Sequence, residues 1–231
     1  MSRVHLVGGE KGGVGKSTVA RLLTQWCIDQ QQPFAAADAD TSHGSLSRAY
    51  SEFSQPVDFH QFSSADQIMD RALAADRRVI VDLPAQSARP LEIWLESGDV
   101  LQFARQAGVR LTLWHVSDGG FDSVRDLERV LARFGDQLEY VALKNHGRAR
   151  DFSQFDSSEA KERLLALGGR IVDLPELDPA TMFAIDRSGV SFWAAVNREG
   201  DEAVLSPMAR QRTRLWLGKA YNAFESLGDL L

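Results

Sequence analysis

A glycine-rich run with two lysines is the feature of this sequence best suited to phosphate chemistry. Residues 10–18 read Glu-Lys-Gly-Gly-Val-Gly-Lys-Ser-Thr. The glycines allow the backbone to curl so that successive N–H groups point toward one centre. Lys16 can then bridge the β- and γ-phosphates of a nucleotide, and the Ser17 hydroxyl can bind magnesium. The residues predicted to bind the nucleotide here are Gly12, Gly13, Val14, Gly15, Lys16, Ser17 and Thr18.

Acidic residues that follow apolar runs could complete such a site. Residues 79–82 read Val-Ile-Val-Asp, the pattern of a buried strand with Asp82 at its end. At that place a carboxylate can hold the water shell of a magnesium ion. Asp38 and Asp40 follow a shorter apolar run, and a turn-capping pair of aspartates is the alternative interpretation there. An apolar run that ends in aspartate is a weak sign of a magnesium site when it stands alone. Asp82 becomes a strong one because it follows the glycine-rich run at about the separation that such a site requires.

Strand-length apolar segments alternate with helix-length amphipathic segments along the chain. Such alternation indicates an α/β fold with a single doubly wound, mostly parallel sheet and helices on both faces. The ligand then lies at the carboxyl ends of the strands. We expect one domain, 1–231, with a surface loop over 145–158. The predicted strands are 4–8, 34–37, 78–83, 110–116, 138–143 and 170–174. The predicted helices are 16–31, 64–75, 90–107, 121–134, 157–167 and 206–227.

Composition excludes several classes of function. The formal net charge of −6 argues against a protein coated in nucleic acid. The single cysteine excludes a disulfide framework, a zinc site of cysteines and an iron–sulfur redox role for the chain alone. No run of about 18 apolar residues is present, so we expect no membrane span and a cytoplasmic location.

Residues 11–18 resemble the deviant Walker A motif of the ParA/MinD-like ATPases, whose mark is a second lysine near its start, here Lys11. The general phosphate-loop pattern has glycine five residues before the Gly-Lys pair, where this chain has Glu10. The resemblance implies an ATP- and magnesium-dependent ATPase that switches as an ATP-dependent homodimer. It implies that Lys11 reaches the partner's nucleotide and that Asp40 helps position the attacking water.

The sequence departs from the family pattern directly after Asp40. The family's Pro-Gln is replaced there by Thr41-Ser42. This implies slow hydrolysis that a partner stimulates, or Ser42 or His43 in place of the usual residue.

Two further segments resemble the part of the family fold that binds the base. Asn145 ends a predicted strand, and an amide offers both the donor and the acceptor that adenine requires; a strand-ending turn is the alternative. Residues 172–176, with Pro175, resemble the family segment beside the base. Residues 83–86 resemble the second switch, which is expected to move with the γ-phosphate.

Proteins of this family position plasmids, division sites, flagella or protein complexes. Residues 82–125 and the loop after the second strand resemble the conjugal-transfer and mobilisation proteins of the TraL type. We expect an unidentified protein partner or cargo. The basic residues of 210–219 do not form one continuous face, so DNA stays an open second partner. The acidic end, 225–231, suits anionic lipid poorly, and we expect the last helix to pack on the core.

Two other functions stay open from the residues alone. One is a non-catalytic adaptor that binds ATP or ADP as a switch. The other is a small-molecule phosphotransferase or ligase, for which the loop 42–61 would supply a substrate pocket.

Overall fold

The computed structural model describes residues 1–40 and 43–231. Seven strands form a single sheet in the order β3-β2-β4-β1-β5-β6-β7. All described strand pairings are parallel. This confirms the predicted doubly wound α/β sheet. The strands are β1 Arg3–Gly8, β2 Phe34–Asp38, β3 Ser54–Pro56, β4 Arg78–Asp82, β5 Arg110–Ser117, β6 Glu139–Asn145 and β7 Arg170–Leu174.

Helices connect successive strands and extend the chain beyond the last one. No helix in the described part of the chain has the length and apolarity that crossing a membrane requires. The described α-helices are α1 Lys16–Asp29, α2 Ser45–Ala49, α3 Phe62–Ala65, α4 Gln67–Ala74, α5 Ala88–Ser97, α6 Val100–Gln106, α7 Phe121–Phe134, α8 Ser153–Asp156, α9 Glu159–Ala166, α10 Pro179–Ser188, α11 Phe192–Asn197 and α12 Pro207–Glu225.

The sheet is buried on both faces because alternate residues of each strand point to opposite sides. On one side, Val4 and Leu6 of β1 belong to a core that includes residues of α4, α5, α6, α7 and α9. On the other side, Val7 belongs to a second core with residues of α1, α10, α11 and α12. Because β1 lies between β4 and β5, Val7 pairs with Asp82 and Gly8 with His115. The loop after β1 therefore begins beside the end of β4.

The predicted single helix over 90–107 is wrong. The structure has two helices there, α5 and α6, separated at Gly98 and Asp99. Asp99 has φ 48°, in the left-handed region. A residue in that conformation interrupts the helical hydrogen-bond ladder, so the chain changes direction before α6 begins.

Several elements were missed by the sequence patterns. β3 is a three-residue edge strand ending in proline, and it carries no periodic signal. The predicted surface loop 145–158 contains α8, with Phe152 and Phe155 buried. α10 was detectable, because Asp178 caps it and Pro179 is its first residue.

Two histidines are buried in the central strands. His5 is 1% exposed, and the indole Nε1 of Trp114 donates a hydrogen bond to its Nδ1 at 3.0 Å. Burial, with the charges of Arg3 and Arg78, lowers the pKa of His5 to about 3. Burial also lowers the pKa of His115 to about 4. Both imidazoles are therefore neutral in the folded protein at pH 5 to 7.

We expect the free energy of unfolding to fall as the pH drops below about 6.5, the usual pKa of histidine. The unfolded chain binds protons there that the buried imidazoles do not, so acid favours unfolding. His5→Asn keeps a side chain that can accept from Trp114 but does not titrate. Between pH 6 and pH 4.5, the free energy of unfolding of this variant should change less steeply with pH than that of the wild type, by up to about 1.4 kcal/mol per pH unit.

Urea unfolding at several pH values measures this slope. His60→Asn is the matched control, because His60 is exposed. Equal slopes for His5→Asn and the wild type would contradict the lowered pKa of His5.

Candidate functional site

The phosphate loop connects β1 to α1 and has the backbone that its glycines predict. Gly13 has φ 77° and Gly15 has φ 103°, both conformations that favour glycine. Gly15 is the N-cap of α1, and as a glycine it has no side chain to cap that end of the helix. The first N–H groups of α1 and its positive dipole end therefore face the loop, an arrangement that suits an anion.

Asn145 holds the inner turn of this loop from the end of β6. Its Nδ2 donates to the Val14 carbonyl at 2.7 Å, and its Oδ1 accepts from the Gly147 amide at 3.1 Å. A Cβ at Gly15 would lie 2.3 Å from that Nδ2, so only glycine fits beneath the amide. The sequence pattern suggested adenine as the partner of Asn145. In the structure this amide contacts the phosphate loop, and the adenine contact stays a prediction.

Lys16 lies inside the loop rather than in solvent. It is 7% exposed, and its Nζ donates to the Lys11 carbonyl at 2.8 Å. Burial lowers the pKa of Lys16, and the negative charge of Asp82 is the largest influence that opposes this shift. A buried cation that already points into an anion site needs little reorganisation to bind a phosphate.

Asp82, at the end of β4, is completely buried, and neither of its carboxylate oxygens has a hydrogen-bond partner in the described structure. Burial raises its pKa to about 7, while the nearby Ser17 hydroxyl lowers it. No cluster of three or more His, Cys, Asp or Glu in residues 1–40 and 43–231 could hold a metal alone. An unpaired carboxylate beside Ser17 nevertheless fits a magnesium ion that also takes oxygen ligands from water and phosphate.

The two aspartates after β2 have different environments. Asp38 is 2% exposed, and its carboxylate accepts from the amides of Asp40 at 3.1 Å and Ser47 at 2.8 Å. It therefore holds the turn, as the capping alternative proposed. Asp40 lines the cavity beside the phosphate loop and accepts from the His43 amide at 3.1 Å. The Thr41-Ser42 departure lies outside the described residues.

Lys11 has a partner that the sequence did not suggest. Its Nζ donates to Asp118 Oδ2 at 2.6 Å, and the lysine side chain is 42% exposed. Asp118 follows β5 and also accepts from the Gly120 amide and the Ser123 hydroxyl. Burial raises the pKa of Asp118, but these hydrogen bonds outweigh burial and lower it overall. An aspartate directly after a strand was the available signal for this residue.

Two adjoining cavities lie at this end of the sheet. The first, about 400 Å³, contains the phosphate loop and residues 83–85. The second, about 110 Å³, is lined by Asn145, Pro175 and Trp216 among others. Thr18, Arg148 and Asp186 border both cavities, so a ligand can extend from one into the other. The predicted residues that line one or other cavity are Gly12, Gly13, Gly15, Lys16, Ser17, Thr18, Asp40, Asn145 and Pro175.

Three arginines line the first cavity. Arg48 belongs to the loop 42–61, for which the sequence suggested a substrate pocket, whereas Arg21 and Arg148 were not singled out. Arg48 and Arg148 are exposed at the rim of the cavity. Arg21 is 5% exposed, donates to Asp186 at 2.7 Å and lies over the Phe192 ring. They add positive charge around the phosphate loop, which strengthens its preference for an anion.

Curated proteins with similar sequences are few and distant. The chain is 23% identical to the MobD protein of Acidithiobacillus ferrooxidans over 181 residues, 75% of this chain and 78% of that protein. It is 23% identical to a TraL protein of Escherichia coli over 196 residues, 78% of this chain and 80% of that protein. No family model matches the chain.

Solved structures share the fold at low identity. A ParA family ATPase from Chlorobium tepidum superposes with a TM-score of 0.55 and 14% identity, covering 92% of this chain and 98% of that one. MinD from Aquifex aeolicus superposes with a TM-score of 0.51 and 13% identity, covering 94% and 96%. A nucleotide-binding protein from Archaeoglobus fulgidus in complex with ADP superposes with a TM-score of 0.52 and 16% identity. The match covers 87% of this chain and 89% of that one.

These comparisons confirm the resemblance carried by residues 11–18. The chain has the P-loop fold of the ParA/MinD-like ATPases, and in sequence it is similar to the TraL and MobD proteins.

Proposed function

We propose that this chain is an ATP- and magnesium-dependent ATPase that acts as a nucleotide-switched homodimer in the positioning, partition or transfer of DNA or a protein cargo. The proposal treats 1–231 as one P-loop domain that works in the cytoplasm. The observation that carries it is the pair of lysines in one loop. Lys16 is buried at the centre of the loop, whereas Lys11 is 42% exposed at its edge.

Lys16 and the N–H groups of the loop would bind the phosphates of ATP. Ser17 and Asp82 would hold magnesium, which supplies charge neutralisation during phosphoryl transfer. Asn145 and Pro175 line the smaller cavity, and its position beyond Thr18 suits the base. Asp40, which lines the larger cavity, would orient a water near the γ-phosphate.

In the structure, Lys11 pairs with Asp118. Its ammonium would leave that carboxylate and reach the nucleotide of the partner subunit, where a cation stabilises charge that develops in the transition state. The exchange costs little, because an exposed ion pair of this kind is worth about 1 kcal/mol or less. In the monomer, Lys11 thus contacts Asp118, and dimerisation replaces this contact with one to the partner's nucleotide.

Hydrolysis is separated from the two alternatives by following the fate of the γ-phosphate. An ATPase releases inorganic phosphate, and release should rise when DNA or a partner protein is added. Transfer of the phosphate to a metabolite would instead identify a phosphotransferase. Phosphate release that stays at background under all conditions would identify an adaptor.

The dimer switch is tested by light scattering after gel filtration, without nucleotide, with ADP and magnesium, and with ATP and magnesium. The wild type should be monomeric except with ATP. Lys16→Ala should weaken nucleotide binding by at least about tenfold, because it removes a charge-assisted contact. Lys11→Ala should bind ATP normally but stay monomeric, and Lys219→Ala, which removes an exposed lysine of α12, should match the wild type.

Asp118→Asn gives the opposite result to Lys11→Ala. It weakens the hold on Lys11, so the dimer should form at an ATP concentration about two- to fivefold lower. A wild type that binds ATP but stays monomeric throughout would refute the dimer mechanism.

Asp82→Asn should stabilise the ligand-free protein and remove its response to magnesium. The wild type buries a negatively charged carboxylate, whereas an amide of the same size is neutral, so we expect the free energy of unfolding to rise by about 1 kcal/mol or more. Thermal unfolding, with and without ADP and with and without magnesium, measures both effects. Asp38→Asn is the contrasting variant, because Asp38 accepts two amide hydrogen bonds and its replacement should destabilise.

A further inference from the structure

Glu10 stands where the general phosphate-loop pattern has glycine, and its backbone does not require glycine. The residues with positive φ in this loop are Gly9, Gly13 and Gly15. Position 10 can therefore carry a side chain without strain. The structure shows where that side chain goes.

The Glu10 carboxylate caps the helix that follows β4. Its Oε1 accepts from the Ala88 amide, the first residue of α5, at 2.7 Å. Ser87, the N-cap residue, contributes no side-chain hydrogen bond to that end. A carboxylate at a helix N-terminus satisfies a free N–H group and interacts favourably with the helix dipole. Glu10 thus supplies from the phosphate loop the cap that α5 does not provide for itself.

The main chain of Glu10 makes a second contact with the same segment. Its carbonyl accepts from the Gln86 amide at 3.2 Å, and Gln86 has φ 59°. Residues 86–88 are therefore held at both ends by one residue of the phosphate loop. The other carboxylate oxygen, Oε2, lies 3.7 Å from Arg129 of α7.

The segment held in this way borders the phosphate cavity. Leu83, Pro84 and Ala85 line that cavity opposite the loop glycines. A Cβ at Gly12 would lie 3.9 Å from the Ala85 side chain, so the two segments are in near contact. Any displacement of residues 10–13 by a bound phosphate would thus move residues 83–88 through Glu10.

We propose that Glu10 is a positioning residue that couples occupation of the phosphate loop to the segment 83–88. This inference rests on the proposed function, since it assigns the signal to a bound nucleotide. Its carboxylate adds a connection to Ala88 that the glycine of the general pattern cannot make. Glu10 touches neither the phosphates nor the water in this role; it acts through Gln86 and Ala88.

The test compares variants that remove the side-chain oxygen accepting from the Ala88 amide with a variant that keeps such an oxygen. Glu10→Ala and Glu10→Gly remove it, and the second variant restores the general pattern, which a phosphate loop tolerates. Glu10→Gln keeps an oxygen that can accept from Ala88. Glu128→Ala is the matched control, since Glu128 is an exposed carboxylate on α7.

Hydrogen exchange of peptides within 84–92 is measured by mass spectrometry, first without nucleotide. Glu10→Ala and Glu10→Gly should exchange about fivefold faster or more at the start of α5, because a lost cap frays that end. Glu10→Gln and Glu128→Ala should stay within about twofold of the wild type. Unchanged exchange in both removal variants would overturn the proposal.

ATP affinity and turnover are then measured on the same proteins. The removal variants should bind ATP within about twofold of the wild type but turn over about tenfold more slowly, since misplacement of the switch affects the reaction more than binding. Glu10→Gln should recover most of the rate. Full turnover in both removal variants would refute the role of Glu10 while the ATPase assignment stands. A wild type that binds no nucleotide would refute both.

Discussion

The hydrogen bond from Asn145 to the Val14 carbonyl is the contact on which the geometry of the site depends. It joins the end of β6 to the phosphate loop across 131 residues of sequence. The approach is so close that a Cβ at Gly15 would meet the amide at 2.3 Å. The loop therefore takes its shape from the sheet as well as from its own glycines. A change in the position of β6 relative to β1 would distort the loop even if every residue of 10–18 were intact.

The same end of the sheet concentrates buried charge that is incompletely paired. Asp82 is fully buried, neither of its oxygens has a hydrogen-bond partner within residues 1–40 and 43–231, and Lys16 is 7% exposed. Leaving a buried carboxylate without partners is costly, so the fold gives up stability at this position. A ligand that brings magnesium and phosphates would satisfy both groups together. The unfavourable electrostatics at this position and the proposed affinity for such a ligand would thus have the same origin.

Features set by neighbouring residues were predictable from the sequence, and features set by distant pairs were not. The phosphate loop is a local pattern of glycines and lysines between a strand and a helix, so its position and backbone follow from residues 8–18. The burial of Asp82 follows from the apolar run before it.

The partners of Lys11 and Glu10, by contrast, lie 107 and 78 residues away. No local periodicity specifies such contacts. The break between α5 and α6 was missed for another reason. It depends on the left-handed backbone of Asp99, which an aspartate adopts only occasionally.

Glu10 and Lys11 are adjacent in sequence, yet their side chains contact different neighbours of the central strand. Glu10 reaches α5, which follows β4, and Lys11 reaches Asp118, which follows β5. The first half of the loop is thereby tied to both strands that flank β1, whereas the second half presents glycines, Lys16 and the start of α1 to the cavity. In the proposed mechanism, a phosphate bound to the second half would act on the first half through a backbone of a few residues. Because the two ties run to different elements, one binding event would, under the proposed function, both alter the segment after β4 and release Lys11 from Asp118. A loop with glycine in place of Glu10 would keep the main-chain contact with Gln86 but would lack the carboxylate that caps α5.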